Sequence, residues 1–467
     1  MNKIKILLIV YDNDSYISWF PQGIAYIAAV LEQNDCDVVI YNQDIHHYTE
    51  EHLQEYLDNN SFDVVGVSII AGYYQYRKLI KISKSINQSK NRPYYILGGH
   101  GPAPCPDHFF DITNADVIVL GEGEETVVDL IDSVFNKTKP LHKVQGIAFR
   151  DMLGKTIENK RRPLIKDIDT IPYPAYHLFP IEVYRLLRMP HILPADFTMP
   201  ILSGRGCTFR CNFCYRLDKG FRGRSNEHII EEIKLLKKNY GITYIAFSDE
   251  LLMISKERTI SLCEAIIKAD LNIKWDCNGR LNYATPEVLG VMKLSGCVFI
   301  NYGIEAMDDD VLKRMKKGLR LWQVHKGIEE TLRVGISPGF NIIFGHIGDT
   351  KETLQKGVDF LLKYDDGSQL RTIRPVTPYP GSPLYYDAIE KGLVDGCEDF
   401  YLNKHVNSDL LAVNFTDMTD DEFHQALHDA NYQLIDNYIN RTKQSYETQL
   451  HDLYIGKNSS FRGFRQT

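Results

Sequence analysis

The stretch Cys207-Thr208-Phe209-Arg210-Cys211-Asn212-Phe213-Cys214 places three thiols within one loop-sized segment. It follows the apolar run Met199-Pro200-Ile201-Leu202 and the flexible Ser203-Gly204-Arg205-Gly206. This is the pattern of a strand ending in a glycine-loosened loop, where backbone can fold round a bound object. Clustered thiolates hold zinc or an iron–sulfur cluster, both of which favour sulfur ligands. Zinc sites usually bring a second pair of Cys or His at short spacing, and none follows here. Three thiolates with no local fourth point to a metal centre with one coordination position open, and an open position means chemistry. A structural zinc loop is the competing reading.

The segment resembles the C-x3-C-x2-C loop of the radical SAM enzymes, position for position, and it follows a strand as that loop does. The resemblance implies that Cys207, Cys211 and Cys214 carry a [4Fe-4S] cluster. Its unique iron would be chelated by the amine and carboxylate of S-adenosylmethionine (SAM), with Phe213 beside the adenine.

The whole chain sets the outer bounds. Its 467 residues are too many for one ordinary core and suggest two or three domains. With 44% hydrophobic and 24% charged residues the composition is that of a globular protein. A net charge of −8 supplies no general attraction for nucleic acid. The start, Met1 to Val10, reads as a first buried strand and not as a signal peptide, because no small-residue cleavage site follows. No apolar run is long enough to span a bilayer. Nine cysteines, three of them clustered, argue against a disulfide framework and fit the reducing cytoplasm.

In residues 1–145, strands are expected at Ile4–Val10, Asp37–Tyr41, Val64–Ile70, Tyr94–Leu97 and Val117–Leu120. Helices are expected at Gly23–Gln33, Glu50–Asn59, Gln75–Asn87 and Glu124–Phe135. Alternation with fully apolar strands predicts a doubly wound parallel sheet covered on both faces, which binds ligands at its carboxyl edge. This half looks like the cobalamin-binding, Rossmann-like domain joined to a large subset of radical SAM enzymes. The matching pieces are Ser68-Ile69-Ile70, Gly98-Gly99 and Gly121-Glu122-Gly123-Glu124. By that resemblance Ser68, Gly98, Gly99, Gly121 and Glu122 contact cobalamin. One departure matters: the first loop, Asp12-Asn13-Asp14-Ser15-Tyr16, lacks the cobalt-ligating histidine of Asp-x-His-x-x-Gly domains. His46 and His47 read as exposed loop histidines. Cobalamin would therefore bind with its dimethylbenzimidazole tail displaced and no histidine from that loop beneath the cobalt.

Residues 146–194 read as a linker with a hairpin strand at Gly146–Arg150 and extended, proline-punctuated chain from Asp167 to Tyr176. In residues 195–395 the alternation resumes and predicts a partial (β/α)6, TIM-like barrel with its site at the carboxyl strand ends. There stand Asp249, Glu250, Arg280 and Glu305. The resemblance implies Asp249 and Glu250 at the ammonium of SAM, Arg280 at its carboxylate through a bidentate fork, and Glu305 at the ribose hydroxyls. Arg205 and Arg210 flank the cysteines, as tuners of cluster charge or as ordinary ion-pair partners. Cys263, Cys277, Cys297 and Cys397 read as small buried hydrophobes. Residues 396–467 form a mainly helical extension, with a long helix expected through Ile439 and an Arg/Phe-mixed ending at Ser460–Arg465.

The fold class is thus α/β: a Rossmann-like domain, a partial barrel and a helical extension. The resemblance implies cleavage of SAM to a 5′-deoxyadenosyl radical and methyl transfer from methylcobalamin to an unactivated carbon of a small metabolite or lipid. It also implies an electron donor such as flavodoxin or ferredoxin. A cyclase, rearrangement or oxidative enzyme of the same build is the alternative, and a non-catalytic cobalamin- or metal-binding regulator is the rival from another class. A methylthiotransferase would need a second three-cysteine set in the first domain, where only Cys36 and Cys105 stand.

Overall fold

The computed structural model describes residues 3–189, 191–216, 219–367, 369–460 and 464. The chain divides into two compact units. One is built from Met1–Leu187, Phe197–Leu252 and Thr377–Ser408, the other from Arg188–Asp196, Met253–Val376 and Asp409–Thr467. Most of the Ser460–Arg465 ending lies outside the described residues.

In the first unit, β1 (Lys5–Val10), β2 (Asp37–Asn42), β3 (Val64–Ser68), β4 (Tyr94–Gly98) and β5 (Val117–Val119) are parallel. The hairpin β6 (Ile147–Arg150) and β7 (Thr156–Glu158) extends the sheet antiparallel, giving the order β2-β1-β3-β4-β5-β6-β7. Residues Ile6 to Val10 are all buried, as a strand covered on both faces requires. The chain reverses direction across the sheet between β1 and β3, which opens a crevice at their carboxyl ends. Helices Gln22–Gln33, Tyr73–Gln88 and Glu124–Val134 cover the sheet. One helix that the apolar spacing did not announce, Pro106–Thr113, starts on a proline at its first position. At eight residues it is too short to show a period. The linker is not a loose strap: Ile165, Ile168 and Ile171 join Tyr26 and Val30 of the first helix in one buried cluster.

The same unit carries β8 (Thr198–Ile201), the two-residue ribbon strands β9 (Gly204–Arg205) and β10 (Arg222–Gly223), and β11 (Tyr244–Phe247). β8 and β11 pair in parallel, and β9 and β10 antiparallel.

The second unit holds β12 (Lys274–Gly279), β13 (Cys297–Glu305), β14 (Ser337–Phe344) and β15 (Arg374–Pro375), parallel and adjacent in that order. Helices Lys256–Ala269, Pro286–Leu294, Leu321–Arg333 and Lys351–Tyr364 alternate with them. The last strand, β15, is only two residues long. The terminal helix, Asp420–Tyr454, opens on a Thr419/Glu422 capping box and runs past Ile439, since no Gly or Pro interrupts it. Its buried residues, Phe423, Leu427, Ala430 and Leu434, lie in its first half. Among the described residues no helix is long and apolar enough to cross a membrane.

Candidate functional site

Two features of the first unit are candidate sites: a cavity along its large sheet and the cysteine loop. The cavity measures about 530 Å³. Its floor is one sheet face, reached by every second residue: Ile6, Leu8 and Val10 of β1, Val64, Gly66 and Ser68 of β3, Ile96 and Gly98 of β4. Ile27 and Leu31 of one helix and Val127 and Ile131 of another wall it. It opens at the carboxyl strand ends among Tyr11, Ile69, Gly99, His100 and Gly121. Four of the five residues expected to contact cobalamin, Ser68, Gly98, Gly99 and Gly121, therefore line one cavity. Glu122 does not line it.

Small residues at the mouth have local reasons. Gly99 has φ +96°, and a Cβ there would sit 2.2 Å from the Ile69 carbonyl oxygen, so only glycine fits. At Gly98 a Cβ would meet nothing closer than Val119 at 3.9 Å, leaving open space that any larger side chain would fill. A narrow apolar slot along the sheet with a glycine-lined mouth fits a flat ring with a long tail. These residues fit a corrin.

The first loop is held by its own Asp12 and by Asp44, which follows β2. Asp44 accepts from the Asn13 backbone N–H at 2.8 Å and from its side chain at 3.1 Å. Buried Asp12 meets His47 at 3.1 Å and Lys78 at 3.7 Å. His46 and His47 are both exposed, and neither lines the cavity.

The cysteine loop leaves β9 and returns through β10. Gly206 (φ +85°) lets the two arms approach, because a Cβ there would stand 2.3 Å from the Gly220 carbonyl oxygen. Cys207 is half-buried and bridged to Lys219, Cys211 is buried, and Cys214 is exposed. The loop is pinned from two sides. Leu384 N–H donates to the Asn212 carbonyl at 2.9 Å, and the Pro378–Pro383 turn brings Gly381 against the Tyr215 ring. Phe213 is half-buried. Among the described residues no three Cys, His, Asp or Glu side chains converge on a point, as a single metal ion requires. A cubane asks something different, because each thiolate takes its own iron. Three thiols on one pinned loop are a donor set that fits it.

Asp249, just past β11, is buried and accepts from the Ser203 backbone N–H at 2.6 Å and from its hydroxyl. It thereby fixes the entry to the cysteine loop. Glu250 is exposed beside it. Arg205 is an ion-pair partner, gripping Glu122 at 2.9 Å and Glu124 at 2.6 Å, while Arg210 is exposed. Cys263, Cys277 and Cys297 are buried, and burial pushes the Cys263 thiol up to about 12. Cys397 is half-buried rather than buried, against the Cys105 thiol.

In the second unit the carboxyl strand ends bring Arg280 and Glu305 to one residue the sequence did not single out. Lys317, itself buried, holds the Glu305 carboxylate at 2.7 Å, and its carbonyl accepts from the Arg280 guanidinium. Glu305 ends β13 at a register shift with φ +72°. Left-handed backbone at a bulky residue clusters at functional sites, because the surrounding structure must enforce it. Nothing in Lys316-Lys317-Gly318 marks which lysine turns inward. Asp349, beyond β14, accepts from the backbone N–H groups of Gly345 at 3.0 Å and His346 at 2.9 Å.

Residues 201–361 match the Radical SAM superfamily, and residues 9–131 match the B12 binding domain. Among curated proteins, the chain is 29% identical to the uncharacterized methyltransferase PH0819 of Pyrococcus horikoshii, over 84% of this chain and 85% of that one. It is 26% identical to the anaerobic magnesium-protoporphyrin IX monomethyl ester cyclase of Rubrivivax gelatinosus, over 80% and 67%. Among solved structures, the radical SAM methyltransferase TsrM from Kitasatospora setae, with cobalamin and a [4Fe-4S] cluster bound, superposes with TM-score 0.73 at 17% identity. That match covers 92% of this chain and 91% of TsrM. The cobalamin-dependent SAM radical enzyme OxsB, with aqua-cobalamin and SAM bound, gives 0.72 at 18% identity, and the match covers 91% of this chain and 66% of OxsB. The α/β fold class expected from the sequence, a parallel-sheet domain with a partial barrel and a helical end, is thus borne out.

Proposed function

Because the chain belongs to the radical SAM enzymes that carry a B12-binding domain, we propose that it methylates an unactivated carbon of a small metabolite or lipid. The observation that carries this reading is the presence, in one unit, of a glycine-mouthed apolar slot at the sheet's switch point and a pinned three-cysteine loop. The relative named as a methyltransferase supports it. When bound, the reduced cluster supplies the electron that splits SAM to methionine and a 5′-deoxyadenosyl radical, and methylcobalamin supplies the methyl group.

The chain's own residues bind, orient and exclude water. Cys207, Cys211 and Cys214 would hold the cluster as thiolates and leave one iron for SAM. By the family resemblance Phe213 would lie beside the adenine, Asp249 and Glu250 would take the ammonium, and Arg280 would take the carboxylate. Glu305 would accept from the ribose hydroxyls, aimed by its ion pair with Lys317. Ser68, Gly98, Gly99 and Gly121 would let a corrin approach the backbone closely. The apolar lining of the slot would help keep bound reactive groups from solvent.

The test uses the anaerobically reconstituted protein with hydroxocobalamin, a low-potential reductant and SAM labelled in its methyl group. Label appearing in protein-bound cobalamin, with release of 5′-deoxyadenosine, supports methyl transfer. Release of 5′-deoxyadenosine without labelled cobalamin supports a second reading, a radical cyclase or rearrangement enzyme, which the identity to the cyclase favours. Neither event, with the cluster intact, contradicts both.

A further inference from the structure

Arg205 and Arg222 face each other across the ribbon at the base of the cysteine loop. Two like charges directly opposite on paired strands repel. Here both guanidiniums turn onto one carboxylate. Glu122 Oε1 accepts from Arg205 Nη1 at 2.9 Å and from Arg222 Nη1 at 2.9 Å. Its Oε2 accepts from Arg222 Nη1 at 2.8 Å and from the Ile165 backbone N–H at 2.9 Å. Arg205 Nη2 continues to Glu124 at 2.6 Å. The Glu122 and Glu124 side chains are only 9% and 8% exposed, so these charge-assisted bonds act in a poorly screened setting. Burial pushes the Glu122 carboxyl up, but Arg222, the Ile165 N–H and Arg205 hold it below the usual carboxylate range.

The same short segment faces the other way too. Gly121, Gly123 and Glu124 line the cavity, and Gly123 caps the helix Glu124–Val134 whose Val127 and Ile131 wall it. Glu122 stands between, outside the cavity, with its carboxylate on the loop's two arms. From this juxtaposition we infer that Glu122 is a positioning residue that couples the cavity to the cysteine loop: a corrin filling the cavity fixes Gly121–Glu124, which fixes Arg205 and Arg222 and so the base of the loop carrying Cys207, Cys211 and Cys214. This rests on the functional reading above, in which the cavity takes a corrin and the loop a cluster. Linkage makes the effect mutual, so the cluster raises corrin affinity by the factor with which the corrin stabilises the loop.

The experiment titrates hydroxocobalamin by absorption into the full chain, anaerobically, with the cluster reconstituted and with it removed by chelation. Reconstitution is expected to tighten corrin binding by ~5-fold or more in the wild type, the lower end of ordinary coupling between sites. Glu122→Gln is expected to lose that tightening while its cluster-free affinity stays within about threefold of the wild type, because the residue touches no corrin. Arg222→Gln removes the cation whose Nη1 donates to both Glu122 oxygens, so it is expected to lose most of the tightening, and it serves if Glu122→Gln does not fold. Tightening that persists in both variants, or is missing in the wild type, overturns the coupling. A wild type that takes up no corrin or no cluster at all overturns the functional reading and the coupling with it.

Discussion

Lys317 holds Glu305 at 2.7 Å, and the backbone of Glu305 is left-handed, with φ +72°. The two facts belong together. A strained strand end persists only where its surroundings fix it, and a buried carboxylate persists as a charge only beside a partner. Lys317→Met should leave the buried Glu305 carboxyl without its partner, at a cost of roughly 3–5 kcal/mol, typical for breaking a buried pair. Thermal unfolding would register that loss. Glu305→Gln keeps the shape and removes the charge. Its expected result is SAM affinity weakened ~10-fold, or about 1.4 kcal/mol, with iron content unchanged. Unchanged SAM affinity would remove Glu305 from the ribose site.

The slot makes its own prediction. Gly98→Leu adds a side chain on the cavity face of β4 without strain, since its Cβ meets Val119 at an ordinary 3.9 Å. Corrin affinity, followed by absorption, should fall ~10-fold or more. Iron and sulfide content should stay at the wild-type level. Equal corrin binding would mean the corrin sits elsewhere.

Much of this was legible before any coordinates. Cys207, Cys211 and Cys214 declare themselves because ligand spacing is a local property, and β1 to β5 because buried parallel strands are apolar along their whole length. What stayed hidden is what depends on contact between distant segments. Glu122 sits in a glycine-rich stretch that reads as a cofactor loop, yet its carboxylate faces Arg205 and Arg222, 83 and 100 residues on. Lys317 looks like any lysine in a basic run until Glu305 is seen to need it. Pro106–Thr113 escapes a sequence reading because a two-turn helix shows no period.

Asp349 sets a pH dependence in the second unit. Burial pushes its carboxyl up to about 6, against the bonds it accepts from Thr353, His346 and Gly345. A folded pKa above the unfolded one means stability that is fully present below pH ~4 and lost as pH rises through about 6. The scale is on the order of 3 kcal/mol. Asp349→Asn should abolish this slope, so the melting temperature of the variant should gain on the wild type between pH 4 and 7 and hold level above. A constant difference across that range would contradict the assignment.

His405 gives the opposite sign in the first unit. Its ring is fully buried, stacked on Phe400 with ring centres 5.2 Å apart and edge-on to Tyr73 and Tyr379, and among the described residues neither nitrogen has a partner. Burial drives its pKa down to about 4. Stability is then present above the ordinary histidine range and lost as pH falls through it toward 4. His405→Phe should raise the melting temperature at pH 7, by the equivalent of roughly 1–3 kcal/mol for an unmet polar group. The gain should grow as pH drops to 5. A variant less stable than the wild type at both pH values would show that the imidazole has a polar partner.

The most direct measurement is electron paramagnetic resonance of the anaerobically reconstituted, reduced protein, recorded before and after addition of SAM. Three thiolates holding a cubane with one open iron predict ~4 irons per chain, a reduced-cluster signal whose g-values shift when SAM binds, and loss of that signal in Cys207→Ala. Zinc in the cysteine loop, or a cluster signal indifferent to SAM, would contradict it.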